Sequence, residues 1–170
     1  MTTTANSRPP FRVGQGWDSH RIEKGKRLIL GGVHVPCEFG LSGHSDADVL
    51  YHSVTDAILG ALSLGDIGMH FPDHAPEWKD ANSHQFLQHA VALAAEGGYR
   101  VANVDSTIVL ERPKLKDYRA PICASLASAL GTGIEAVSVK FKTAEGVGPA
   151  GEGLSCEAQA VVLLIRDGFS

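Results

Sequence analysis

The sequence predicts an α/β (α+β) fold: one domain in which helices pack on one face of a mixed β-sheet. Three observations carry this. The chain has 170 residues, which suits one domain with a sizeable core. Short β-branched runs alternate along it with segments of helical period. There is no internal repeat, and no low-complexity stretch beyond the polar leader MTTTANSRPP, read as a disordered segment over residues 1–10. The domain then covers residues 11–170.

The elements follow in order. Phe11 to Trp17 reads as a strand. Arg27 to Ile29 and Val33 to Val35 read as two short strands around the Gly31-Gly32 turn. Ser45 is the expected N-cap of a helix, with Asp46 and Asp48 in its first turn, where the helix dipole favours carboxylates. That helix runs to about Leu62, with Leu50, Val54, Ala57, Ile58, Ala61 and Leu62 as its apolar stripe. A loop from Gly65 continues through Phe71-Pro72-Asp73. A second helix spans about Ser83 to Glu96 and stops at Gly97-Gly98. Tyr99 to Leu110 is a strand, Lys116 or Asp117 to Leu130 a third helix closed by Gly131, Val137 to Phe141 a strand, and Ser155 to Ile165 a last, strongly apolar one.

Composition narrows the function classes. The net charge of −4 offers no basic nucleic-acid surface. No apolar run approaches the roughly 20 residues of a membrane span, and the N-terminus has no apolar signal core. Cys37, Cys123 and Cys156 are odd in number and far apart, which fits reduced thiols in a cytoplasmic protein. Cys156, in an alternating apolar run, is expected in the core.

The chemistry concentrates in the first third. Asp18 and His20 stand two apart, so on a strand both project from one face. Asp48, His52 and Asp56 stand four apart, so they share a helix face, opposite the apolar stripe. If that face meets the first strand, Asp18, His20 and His52 converge as one carboxylate and two imidazoles. Such donors suit zinc, with manganese, cobalt or iron as lesser options, and three protein ligands leave a position open to substrate. Asp56 or Asp48 would orient a ligand histidine. Of the eight histidines, His34, His70, His74, His84 and His89 are read as solvated or structural. His44, beside Ser45 ahead of a helix, is placed either to hold a phosphate or merely in a capping segment. Lys114, in the basic run after a strand, and the glycine-rich stretch Lys140 to Gly153, with Thr143 and Glu145, are candidates for phosphate and a second cation.

These pieces, in this order, resemble the 2-C-methyl-D-erythritol 2,4-cyclodiphosphate synthase family of the non-mevalonate isoprenoid pathway. The matching stretches are RVGQGWDSH, LILGGVHVP, GLSGHSDADVLYHSVTDAILGALSLGDIG, FPD, NVDSTIVLERPKL, VSVKFKTAEG and GEGLSCEA. The resemblance implies a homotrimer with active sites between neighbouring subunits. It implies zinc on Asp18, His20 and His52, with manganese or cobalt as alternatives. His44 and Ser45 would hold the phosphate region of the substrate, and Asp66, Ile67 and Gly68 would lie near the methylerythritol part. Phe71 and Asp73 would belong to a loop over the site. Leu110, Lys114, Leu115, Lys116, Lys142 and Thr143 would form the cytidine and diphosphate pocket of the adjacent subunit. Glu145 would hold magnesium or manganese at the diphosphate. Thr143, Asp66 and Lys114 are the residues expected to act on the reacting groups. The implied reaction converts 4-diphosphocytidyl-2-C-methyl-D-erythritol 2-phosphate to the 2,4-cyclodiphosphate and CMP.

Two stretches depart from the family pattern. Lys142-Thr143-Ala144-Glu145 replaces a run of threonines, and Gly146 to Gly151 is short and lacks the usual arginine before GEG. In relatives that loop helps form an axial, isoprenoid-diphosphate-binding cavity, and such binding here would have to use other groups. Two rival readings use the same ligands: a metal-dependent phosphohydrolase, and a non-catalytic trimer that binds an isoprenoid diphosphate. The second would need a fourth protein ligand for a structural zinc, and no Cys or His is well placed for one.

Overall fold

The computed structural model describes residues 9–72 and 74–169. Seven strands and five α-helices alternate: β1 (Phe11–Lys24), β2 (Leu28–Leu30), β3 (Val33–Val35), β4 (Phe39–Ser42), α1 (Val49–Leu62), α2 (Ile67–His70), α3 (His84–Glu96), β5 (Tyr99–Val109), α4 (Arg119–Leu130), β6 (Val137–Lys142), α5 (Gly148–Gly151) and β7 (Ser155–Arg166). Five strands form one sheet in the order β4-β1-β7-β5-β6, and β2 and β3 form a separate hairpin. The sheet is mixed: β5 and β6 run parallel and the other neighbours antiparallel.

Strand alternation decides which face carries the core. Along β7, Cys156, Ala158, Ala160, Val162 and Leu164 are buried, while Gln159 and Val161 are exposed. The buried set lies under the helices, which cover one face only. Cys156 lies in that core, fully buried, and all three cysteines are free thiols.

α1 is the central helix, and glycines let it approach the sheet. A Cβ on Gly14 would lie 1.8 Å from the Ala57 carbonyl oxygen, and one on Gly16 would lie 2.0 Å from that of Ser53. Both glycines point at α1 from the face of β1 that also carries Asp18 and His20. The helix therefore sits backbone to backbone on β1 and runs antiparallel to it, with its N-terminal half brought over Asp18 and His20.

Several expectations are corrected. β1 continues through Lys24, so Asp18 and His20 lie within the strand, paired with Ala158 and Cys156. The strand expected at Arg27 to Ile29 begins one residue later. β4, α2 and α5 fall in stretches read as loop, because elements of four residues are too short to show a period. The third helix opens with a 3₁₀ turn over Lys116–Tyr118 before α4 begins at Arg119.

The N-cap of α1 is Asp48, not Ser45. One Asp48 oxygen accepts the N–H groups of Leu50, Tyr51 and Gly31, and the other accepts that of Gly32. Asp48 thus ties the helix start to the β2–β3 turn, away from the metal-facing side. Burial raises its carboxyl to about 6, against the pull of those N–H donors. His52 and Asp56 keep their expected common face of α1, with His52 buried and Asp56 half-buried. Ser53 and Thr55 are fully buried and donate back to the carbonyls of Leu50 and Tyr51, so the helix is enclosed on nearly every side.

The leader over residues 1–8 and Asp73 lie outside the described residues. Pro9 and Pro10 are tied down: the Pro9 carbonyl accepts from Tyr99 Oη, and the Pro10 carbonyl from the Arg166 N–H. Among the described residues no helix is long and apolar enough to cross a membrane.

Candidate active site

Asp18 and His20 reach across from β1 to His52 on the first turn of α1. His20 Nε2 lies 3.0 Å and His52 Nδ1 3.0 Å from Asp18 Oδ2, and the two nitrogens are 3.1 Å apart. Two donors on one tetrahedral zinc stand about 3.3 Å apart, given bonds near 2.0 Å. Three nearly equidistant N and O donors at this spacing fit a divalent metal, and they are the only such group among the described residues.

The surroundings adjust this triad. Burial opposes charge on Asp18, but hydrogen bonds and attraction from His20 and His52 outweigh it and hold the carboxyl well below its usual range. Burial likewise opposes charge on His20. Asp18 and the Ser42 carbonyl, 2.9 Å from His20 Nδ1, outweigh it and hold the imidazole above its ordinary value. The Ser42 contact occupies Nδ1 and directs Nε2 toward the shared centre.

A cavity of about 250 Å³ opens over the triad, lined in addition by His44, Ser45, Ile67, Gly68, Phe71, Trp78 and Phe86. Ser45 Oγ lies 3.2 Å from His52 Nε2, and the His44 side chain meets the Ala75 carbonyl through Nε2, 3.2 Å away. Asp66 does not line this cavity. It caps α2, accepting the Met69 N–H at 3.0 Å. Asp56 accepts the Ile67 N–H at 2.7 Å and so seats α2 at the cavity edge. It makes no hydrogen bond to either ligand histidine. Burial, together with the nearby Asp66 and Asp18 carboxylates, raises the Asp56 carboxyl.

The remaining candidates gather elsewhere. Leu110, Lys114, Leu115, Lys116, Lys142, Thr143 and Glu145 line a separate cleft of about 630 Å³, together with Arg119 and Lys140. Its lining shares no residue with that of the triad cavity. β6, at its floor, is the third strand over from β1, about 14 Å at ordinary strand spacing. Apolar Leu110 and Leu115 beside several cations suit a flat base joined to phosphates. Thr143 Oγ1 donates to Glu145 Oε1, and Glu111 Oε1 accepts the Ala144 N–H at 2.7 Å, which fixes this turn to the end of β5.

Sequence reasoning missed four residues at the triad cavity. Trp78 and Phe86 build its aromatic wall with Phe71, whose ring centroid lies 5.0 Å and 4.4 Å from theirs. Ser83 stands against His52, and Asp46 stands against Ser83. Only Asp46 carried a signal, its place within GHSDAD. The other three come from a segment some thirty residues beyond His52 and reach the site by chain folding alone.

The comparisons with known proteins agree with this geometry. The 2-C-methyl-D-erythritol 2,4-cyclodiphosphate synthase of Solibacter usitatus is 65% identical over 154 residues, covering 91% of this chain and 97% of that protein. The enzyme of that name from Gloeobacter violaceus is 52% identical over 154 residues, covering 91% of this chain and 94% of its own length. Among solved structures, IspF of Plasmodium falciparum in its CDP complex matches with a TM-score of 0.83 at 37% identity, over 94% of this chain and 99% of that one. The YgbB family model matches residues 11–165, and with relatives this similar along nearly their whole length, the chain belongs to the YgbB family.

Proposed function

We propose that this chain converts 4-diphosphocytidyl-2-C-methyl-D-erythritol 2-phosphate to 2-C-methyl-D-erythritol 2,4-cyclodiphosphate and CMP. The observation that carries this is the Asp18–His20–His52 donor set at the base of a cavity, in a chain 65% identical to a synthase of that name. The new bond joins an oxygen of the 2-phosphate to the β-phosphorus. The bond from that phosphorus to the α-phosphate oxygen breaks, and CMP carries the electron pair away. The nucleophile is already an anion, so the task is to orient two repelling phosphates and neutralise their charge. A divalent metal held by Asp18, His20 and His52 would supply Lewis-acid polarisation of a phosphoryl oxygen.

This chain's own groups do the rest. His44 and Ser45 hold the phosphate next to the metal. Ile67, Gly68 and Phe71 enclose the carbon skeleton, and the wall of Phe71, Trp78 and Phe86 keeps water from competing with the internal nucleophile. Asp66 orients this segment through its cap on α2, and Asp73 belongs to the same segment. In the second cleft Leu110 and Leu115 receive the base, while Lys114, Lys116, Lys142 and Thr143 bind the diphosphate and the departing CMP. Glu145 would hold magnesium or manganese there.

About 14 Å of sheet separates the two halves within one chain, which supports pairing of halves from neighbouring subunits. The family resemblance supports a homotrimer with such interfacial sites. The bare sheet face, with Val13 67%, Trp17 52% and Val161 46% exposed, offers an apolar surface for such an assembly.

Phosphorus NMR of the purified protein with this substrate, zinc and magnesium tests the proposal. Two coupled cyclic-diphosphate resonances appearing with CMP are expected, and His52→Ala abolishes them along with stoichiometric zinc. Release of inorganic phosphate instead would establish a hydrolase.

A further inference from the structure

Each ligand histidine has a second nitrogen facing away from the metal position. On His20 it meets the backbone carbonyl of Ser42, a partner that no substitution removes. On His52 it meets side chains. His52 Nε2 lies 2.8 Å from Ser83 Oγ and 3.2 Å from Ser45 Oγ. Ser83 is fully buried, and its hydroxyl makes a short hydrogen bond to Asp46 Oδ1. The same Asp46 oxygen accepts the N–H groups of Ser83, at 3.2 Å, and Asp48, at 3.4 Å.

The direction of the chain follows from donor and acceptor rules. A carboxylate only accepts, so the Ser83 hydroxyl spends its hydrogen on Asp46 and turns its lone pairs to His52. His52 Nε2 must then carry a ring proton, so the hydrogen that a metal displaces is the one Nδ1 gives to Asp18 in the metal-free chain, and the lone pair offered to the ion is on Nδ1. Nδ1 is the atom 3.0 Å from Asp18 Oδ2 and 3.1 Å from His20 Nε2.

We propose that Ser83 and Asp46 are positioning residues for the metal: Asp46 orients the Ser83 hydroxyl, and Ser83 holds His52 in the tautomer that presents Nδ1 to the ion. This rests on reading Asp18, His20 and His52 as metal ligands. Ser83 is suited to the task because it stands at the N-terminus of α3 without capping it through its side chain, which leaves its hydroxyl for Asp46, His52 and the Ser45 hydroxyl 3.3 Å away.

The test is zinc affinity, measured on metal-stripped protein by competition with a chromophoric chelator, with the melting temperature of the metal-free protein taken in parallel. Ser83→Ala is expected to weaken zinc about 10- to 100-fold while the metal-free melting temperature stays near that of the parent. Ser83→Thr, which keeps the hydroxyl, recovers most of the affinity. Asp46→Ala is the second variant. It removes the acceptor that holds the Ser83 hydrogen, which leaves the hydroxyl to donate to His52 and favours the wrong tautomer, so zinc again weakens. Parental affinity in either folded variant overturns the proposal, as does a loss of thermal stability with affinity unchanged. His52→Ala separates the two levels: if it too binds zinc like the parent, the ligand assignment itself has failed.

Discussion

Asp18 and His20 set the pH behaviour of the site, and its sign can be worked out. His20 is held above its ordinary value in the folded chain. Its contribution to the stability of metal-free protein is therefore fully present below its unfolded value, about 6.5, and is lost as pH rises through the folded value. Asp18 is held below its ordinary value, so its contribution is present above about 4 and is lost only in stronger acid. Metal binding runs the other way, because the ion needs the Nε2 lone pair that the proton occupies. Zinc affinity is expected to fall as pH drops below the raised His20 value, by about tenfold per pH unit. Calorimetric zinc titrations between pH 5 and 8 check this, and a flat profile would contradict the ligand role of His20.

The contact between β1 and α1 turns these side chains into a site. Gly14 and Gly16 allow helix backbone to touch strand backbone, and the next residues on that face are Asp18 and His20. A methyl group on Gly16 must push Ser53 and Ala57 away, since it would stand 2.0 Å from one backbone atom and 2.8 Å from another. Gly16→Ala is expected to cost about 3 kcal/mol in urea denaturation and, by lifting α1, to weaken zinc as well. Gly60, on the same helix, is the contrast. A Cβ there meets only the Gln15 carbonyl oxygen, at 3.8 Å, and Gly60→Ala is expected to stabilise by about 0.5–1 kcal/mol through helix propensity. Equal effects at both positions would remove the close-approach argument. Asp48 completes the arrangement from the other end by pinning the first turn of α1 to the β2–β3 hairpin.

Assembly is where the two clefts acquire a common purpose. The triad cavity and the lysine-lined cleft lie on different parts of the sheet, and each holds half of what the proposed reaction needs. If neighbouring subunits supply the two halves, His52→Ala and Lys114→Ala chains are each inactive alone but complement each other. Co-expressed in equal amounts, they should recover about a quarter of parental activity, because half of the chains bring a sound triad and half of their neighbours a sound lysine. Turnover of the mixed, co-purified assembly checks this. No recovery in an assembly shown to be mixed by sequential purification on two different affinity tags would mean that both halves act within one chain.

Residue spacing was enough to identify the triad. Asp18 and His20 share strand parity, His52 lies on a helix whose start is marked by carboxylates, and the three come together once that face of the helix meets that strand, as the Gly14 and Gly16 contacts allow. The long elements were legible for the same reason: α1, α3, β5 and β7 repeat their pattern often enough to be read. The N-cap was misplaced because Ser45 and Asp48 are both good capping residues, and the choice went to the one that could also reach Gly31 and Gly32 on a distant hairpin. The burial of Asp48 and His52 on α1 was not legible because it depends on α3 and the hairpin, which local pattern does not encode. Ser83, Trp78 and Phe86 lie beyond any local signal, since a side chain becomes part of a site when folding brings it within about 3 to 6 Å of one. Local chemistry chose the donor triad, and long-range packing chose the groups that hold and enclose it.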